Sequence, residues 1–156
     1  MVKMVISGGQ TGVDRAGLDA AMEAGIPVSG SCPKGRKAED GPIPDTYPMT
    51  ELDSPIYQVR TEQNVIDSDG TLIINKGPLT TGTKLTRKYA RQHGKPCLVV
   101  KFDARKPKKP VEVIRWLAEN RIKVLNIAGP RESKFPGGIY QEAFLFLEKI
   151  FKMKLF

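Results

Sequence analysis

Short apolar runs recur along this chain, each followed by a glycine-rich or polar segment and then by a stretch with helical spacing. Residues 2–6, 71–75, 97–102 and 124–128 are runs of this kind, and residues 28–30 read as a further, shorter one. Such a run, with little polar alternation, predicts a strand buried on both faces. Strands of that type alternating with helices need crossover connections. The expected fold is therefore α/β and Rossmann-like: a doubly wound, mostly parallel sheet in a three-layer α/β/α arrangement. The 156 residues contain no Pro/Ser-rich linker and no internal repeat, which predicts one domain spanning 1–156.

The helices follow from spacing and stop signals. Residues 11–24 place Val13, Ala16, Gly17, Ala20, Ala21 and Ala24 on one face, and Gly25-Ile26-Pro27 ends the run. Ser54-Pro55 supplies a cap and a first-turn proline for a helix to about residue 67, with Ile56, Val59 and Ile66 on one side. Arg60 and Asn64 form an i,i+4 pair on another side. Residues 83–92 are a helix closed by His93-Gly94-Lys95-Pro96, where the imidazole is expected beside the last carbonyls. Residues 110–121 turn Val113, Ile114 and Leu117 inward. Residues 139–151 do the same with Ile139, Ala143, Phe146, Leu147 and Ile150, and Phe144 with Leu145 widens that face toward an oligomer contact. Residues 31–53, rich in proline and glycine, read as a long irregular loop, a feature usually functional in a compact domain.

Composition removes several classes of function. Hydrophobic residues make up 40% and charged residues 27%, which excludes a disordered chain. The first apolar run is too short for a signal-peptide core, and no segment reaches the length of a membrane span. A cytoplasmic protein is expected. Cys32 and Cys97 lack CxxC spacing and His93 is the only histidine, so neither a disulfide framework nor a metal site is expected. The net charge of +8 favours an anionic partner. Much of it lies in residues 101–109 and 149–154, where no aromatics interleave with the cations. Nucleic acid is accordingly not the expected partner.

Four loops follow predicted strands: 7–14, 31–41, 76–83 and 129–133. A parallel sheet would gather them at its carboxyl edge, where ligands of such folds sit. Gly8-Gly9-Gln10-Thr11-Gly12 offers close backbone approach and a following helix start, suited to an anion. It is not GxGxxG, so generic NAD binding is unsupported. Gly77-Pro78-Leu79-Thr80-Thr81-Gly82-Thr83-Lys84 nearly matches a P-loop, but its lysine comes one position late. Thr80, Thr81, Gly82 and Thr83 still suit a phosphate, and Thr80 or Thr81 equally suits a helix cap. After the last run, Gly129-Pro130-Arg131-Glu132-Ser133 offers Arg131 as an oxyanion fork, while Glu132 and Ser133 could instead begin a capped helix. In the 31–41 loop Lys34 or Arg36 could reach a ligand, and Cys32 is a lone thiol. Asp14 could serve the helix dipole or a ligand, and Arg15 could pair with Glu39, Asp40 or the ligand.

Taken together, Gly8–Arg15, Cys32-Pro33-Lys34-Gly35-Arg36, Glu39–Pro44, Arg60-Thr61-Glu62, Gly77–Thr80 and Asn126–Ser133 resemble the bacterial molybdenum carrier family over nearly the whole chain. That family is grouped with molybdenum-cofactor carriers and lysine-decarboxylase-like phosphoribohydrolases. The resemblance implies a Rossmann-like fold, a nucleotide- or phosphate-binding site at these loops, and a homo-oligomer. It also implies molybdenum cofactor as cargo. The phosphoribohydrolases carry PGGxGTxxE, and its catalytic glutamate falls on Thr86 here. A hydroxyl cannot supply that carboxylate, so the resemblance leans away from an enzyme and no catalytic residue is assigned. The leading expectation is a carrier of molybdenum cofactor or a related phosphorylated heterocycle. Gly8, Gly9, Gln10 and Thr11 with Thr80–Thr83 would hold the oxyanion. Arg131 with Lys34 or Arg36 would neutralise it, and Asp14, Arg60 and Asn64 would orient the rest. The alternatives are a nucleotide N-glycosidic-bond hydrolase and a non-catalytic nucleotide sensor.

Overall fold

A computed structural model describes residues 1–153, so Lys154, the last cation of the basic tail, lies outside the described residues. Five parallel strands form the central sheet: β1 (Met4–Ile6), β2 (Val28–Ser29), β7 (Gly70–Asn75), β8 (Cys97–Lys101) and β9 (Val124–Ala128). Between β2 and β7 run four two-residue strands, β3 (Ser31–Cys32), β4 (Lys37–Ala38), β5 (Gly41–Pro42) and β6 (Thr50–Glu51). The helices are α1 (Val13–Glu23), α2 (Tyr57–Asp67), α3 (Thr81–Gln92), α4 (Pro110–Glu119) and α5 (Tyr140–Lys152), with a 3-10 turn at Glu132–Lys134.

Across the sheet the order is β2-β1-β9-β7-β8. Counting β9 as the first strand turns this into 3-2-1-4-5, the order of a doubly wound Rossmann sheet entered at a different point in the chain. The order reverses between β9 and β7. That reversal is where such a sheet leaves a crevice for ligand.

One sheet face is fully apolar. Val5, Leu72, Ile74, Val100, Leu125 and Ile127 pack under α1, α4 and α5, which contribute Val13, Ala16, Ala20, Val113, Ile114, Ala143, Leu147 and Ile150. Phe146 joins by setting its ring edge-on to Phe102, 5.3 Å between centroids. Side chains alternate across a strand, so the intervening residues turn to the α2–α3 side. These include Thr71, Asn75 and Asn126, and Asn126 Nδ2 donates to Thr71 Oγ1 at 3.2 Å. That face is mixed, since Ile6 and Ile73 lie on it as well, and it changes what α2 must present. Its buried residues are Asn64 and Val65, and Ile56, Val59 and Ile66, read from the sequence as sharing one side, point to solvent, 55%, 43% and 41% exposed. The helix also starts later than Ser54-Pro55 predicts, at Tyr57, because the Ser54 hydroxyl accepts from Ile56 N–H in a preceding turn.

The 31–53 segment is more ordered than its composition suggests. β3 pairs in parallel with β6 and β4 antiparallel with β5, around a small second core of Cys32, Ala38 and Ile43 with Tyr47 and Met49. Arg36, at φ 52°, staples it by donating to the carbonyls of Ile43, Pro44 and Tyr47. Asp19 on α1 accepts from both Tyr47 and Tyr140, which ties this segment to α1 and α5.

Candidate functional site at the sheet switch point

A cleft of about 500 Å³ opens at the carboxyl ends of β9 and β7, at the reversal in strand order. Its walls come from four places: Gln10 and Asp14 at the start of α1; Tyr57, Arg60 and Thr61 on α2; Leu79–Thr83 and Thr86 on α3 and its approach; and Ala128–Arg131 with Lys134 after β9. A narrower recess continues beneath it along Gly8, Asn64 and Asn126. The four loops predicted to gather at this edge do so, three of them lining the cleft and the 31–41 loop joining through Glu39, which accepts from Thr11 and Ser133.

Glycine fixes two close approaches. At Gly129 a Cβ would stand 2.4 Å from Ile74 O and 2.6 Å from Val13 Cγ2, so only glycine lets the β9 loop leave the sheet here. At Gly8 a Cβ would stand 2.3 Å from Arg60 Nη1, so the bare backbone is what seats the guanidinium.

Arg60 Nη1 lies 3.8 Å from Asp14 Oδ2, and that oxygen accepts from Gln10 N–H at 3.3 Å. Burial pushes the Asp14 carboxyl up to about 6, against the opposing pull of Arg60. Two donors at this site lack protein partners. Arg60 Nε is buried and unpaired, and so is Gln10 Nε2. The Gln10 amide is oriented by its oxygen, which accepts from Thr11 N–H (3.1 Å) and Glu39 N–H (2.9 Å), leaving the nitrogen to donate elsewhere. Unpaired buried donors are costly and call for an acceptor.

The α3 start adds backbone donors. Thr80 is its cap: the hydroxyl accepts from Thr83 N–H at 3.2 Å, and its carbonyl accepts from Lys84 N–H at 2.9 Å. The amides of Thr81 and Gly82 have no acceptor in the first turn, at the positive end of a 12-residue helix. At the mouth, Arg131 lies 5.9 Å and Arg60 5.4 Å from the Tyr57 ring centre. Lys37 approaches the same ring at 4.6 Å. Arg131 is held loosely, its Nε 4.0 Å from Glu39 Oε2. The cleft therefore carries Arg60, Arg131 and Lys134 against one acid, Asp14, whose charge burial disfavours.

The other candidates build the walls around the main cleft instead of lining it. Asn64 is clamped to Ser31, accepting from its N–H at 2.8 Å and donating to its carbonyl at 3.0 Å, so the expected Arg60–Asn64 pair does not form. Gly9 backs onto Ile43 and Met49, and Gly12 onto the Pro130–Glu132 backbone. Thr11 Oγ1 donates to Glu39 and accepts from Glu132 N–H. Ser133 donates to the same Glu39 carboxylate through N–H and hydroxyl. Arg15 pairs with Asp40, its Nη1 2.6 Å from Oδ2. Glu132 accepts from Ile139 and Tyr140 N–H and so anchors the start of α5. Lys34 is exposed, Arg36 is spent on its own loop, and Cys32 is wholly buried, with its thiol pushed up by that burial. Tyr57, Thr61, Leu79, Thr86 and Lys134 line the cleft without having been singled out as ligand residues. Thr61 stands in the Arg60-Thr61-Glu62 motif, and Tyr57 is flagged only by lying three residues from Arg60.

The family model described as "Circularly permutated YpsA SLOG family" matches residues 5–151. A crystal structure of a "putative molybdenum carrier protein" from Syntrophus aciditrophicus SB superposes with a TM-score of 0.88 at 46% identity, covering 97% of this chain and 96% of that one. No curated protein matches the chain.

Proposed function

The chain belongs to the circularly permutated YpsA SLOG family, and on that premise we propose that it is a carrier of molybdenum cofactor or of a related phosphorylated heterocycle. One observation carries the reading. Gln10 and Arg60, the α3 start with its free amides, Arg131 and Lys134 all border one cleft of about 500 Å³, a volume suited to a small ligand. The amides and cations bind the phosphate or oxyanion, and Gln10 and Asp14 orient the ring system. Molybdenum enters as cargo. The neighbour's carrier designation supports the same class of ligand. The carrier acts in the cytoplasm as one ligand-binding domain spanning 1–156, and assembles as a homo-oligomer through the apolar trio of α2.

Protein purified from a host that makes the cofactor is expected to contain molybdenum and pterin in matching amounts. Arg131→Ala is expected to lower that content and weaken affinity for the isolated cofactor about tenfold, as loss of one charge-assisted contact would. Absence of both from wild-type protein, with no affinity in titration, would overturn the proposal.

A second reading rests on Asp14. A buried carboxyl held up to about 6 inside a cleft is a group suited to acid–base work, although Thr86 stands where the phosphoribohydrolases have glutamate. Hydrolysis of a nucleotide N-glycosidic bond would release free base from nucleoside monophosphates. Release that stops in Asp14→Asn supports this reading, and no release from wild type ends it.

A further inference from the structure

On the far side of Leu79 lies a second groove of about 450 Å³, between α3 and the 101–109 loop. Leu79 lines both cavities. Four cations border the groove, Arg87 from α3 with Lys101, Lys106 and Lys108, over an apolar floor that includes Leu79 and Val99. No carboxylate lines it. None of the four cations has an ion-pair partner among the described residues. The acid nearest in sequence, Asp103, is turned away: its Oδ2 accepts from Gly77 N–H at 2.7 Å.

That bond has a geometric consequence. Phe102 N–H also donates to Asn75 O at 2.9 Å, so the base of the basic loop is fixed to the turn that leads from β7 into α3. The same turn positions Leu79 and the α3 amides for the first cleft. The two cavities are thus two sides of one wall, both at the carboxyl edge of the sheet. Four unpaired like charges around one groove repel one another, and an anion seated there removes the repulsion.

We propose that the groove bordered by Arg87, Lys101, Lys106 and Lys108 is a second anion subsite, continuing the switch-point cleft across Leu79, and that the protein takes an elongated, multiply phosphorylated ligand. The inference rests on the reading of the first cleft as an oxyanion site. One phosphoryl group sits against Arg60, Arg131 and the α3 amides, and another, farther along the ligand, sits among the four cations.

The test uses inorganic phosphate and linear tripolyphosphate as probes, titrated at two salt concentrations into the full chain. Two quadruple variants are compared with wild type. One is Arg87→Gln, Lys101→Gln, Lys106→Gln, Lys108→Gln. The control removes four exposed cations outside the groove: Lys3→Gln, Arg115→Gln, Arg121→Gln, Lys123→Gln. Both sets are exposed or partly exposed, and thermal melts establish that the variants remain folded. Tripolyphosphate is expected to bind wild type at least tenfold tighter than phosphate, because the second contact is made at high effective concentration. The groove variant should lose most of that advantage and keep its phosphate affinity, while the control keeps both. Equal losses in the two variants would overturn the subsite, since general surface charge would then explain the preference. Phosphate binding that is absent, or insensitive to Arg131→Ala, would instead count against the first cleft, and the difference between the quadruple variants would still decide the groove.

Discussion

A carboxyl that is 3% exposed, with one guanidinium 3.8 Å away, is caught between two opposed effects. At Asp14 burial outweighs the attraction of Arg60, and the group titrates near 6 where an unfolded aspartate titrates near 3.8. The folded chain therefore keeps a proton between about pH 4 and 6 that the unfolded chain has released. Stability falls as pH rises through that window and stays lower above it, by on the order of 3 kcal/mol for a shift of this size. Asp14→Asn carries no such charge and is expected to flatten the dependence, read from denaturant midpoints between pH 4 and 7. The same proton should couple to ligand. Sulfate keeps a constant charge over this range, and its affinity for wild type is expected to fall several-fold from pH 5 to pH 7 as Asp14 ionises. In Asp14→Asn it should not change. A flat wild-type profile would remove Asp14 from the anion's surroundings. The sequence alone left Asp14 open between helix dipole and ligand, because burial decides between them and burial is a property of the packed chain.

Elements explain which other residues were legible. The cleft residues contributed by strand-to-helix loops, Gln10, Thr80–Thr83 and Arg131, follow from the alternation of apolar runs, since a parallel sheet must bring those loops to one edge. The permuted strand order and the switch point were not legible, because local pattern does not say which strand sits beside which. Helix α2 shows a second limit. Spacing puts its apolar trio on one side without saying which way that side turns, and the sheet face beneath α2 carries Asn126 and Thr71 beside Ile6 and Ile73. The helix rolls to present Asn64, Val65 and Thr61, and so delivers Arg60 and Tyr57 to the cleft. At α3 the two readings of Thr80, cap or ligand wall, hold together. Thr80→Ala should cost about 1 kcal/mol through the lost cap, lowering Tm by a few degrees in a domain this size. Thr80→Ser should restore it. An unchanged Tm in the alanine variant would mean the α3 start is held from elsewhere.

At the scale of the molecule, the α2 roll leaves an account to settle with solvent. Ile56 just before α2 and Val59 and Ile66 on it are exposed on the outside of the domain, with Glu62 and Gln63 between the latter two, while no helix among the described residues is long and apolar enough to cross a membrane. The face of α5 expected to supply an oligomer contact is a weaker candidate. Phe144 stacks on Tyr140 at 6.0 Å, which leaves Leu145 alone exposed, at 46%. Burial of Ile56, Val59 and Ile66 against another copy would be favourable, at roughly 25 cal/mol for each Å² removed from water. Sedimentation of wild type is therefore expected to give a dimer or larger assembly. Val59→Lys with Ile66→Lys should yield folded monomers, because both positions are exposed in the single chain and the lysines cost it little. Leu145→Lys should leave the assembly unchanged. A monomeric wild type, or an assembly that survives the paired lysines and yields to Leu145→Lys, would move the interface off α2. Because Tyr57 and Arg60 stand on the same helix as Val59 and Ile66, subunit contact at α2 is also expected to stiffen the cleft wall, and the paired variant should bind sulfate more weakly than wild type at equal pH.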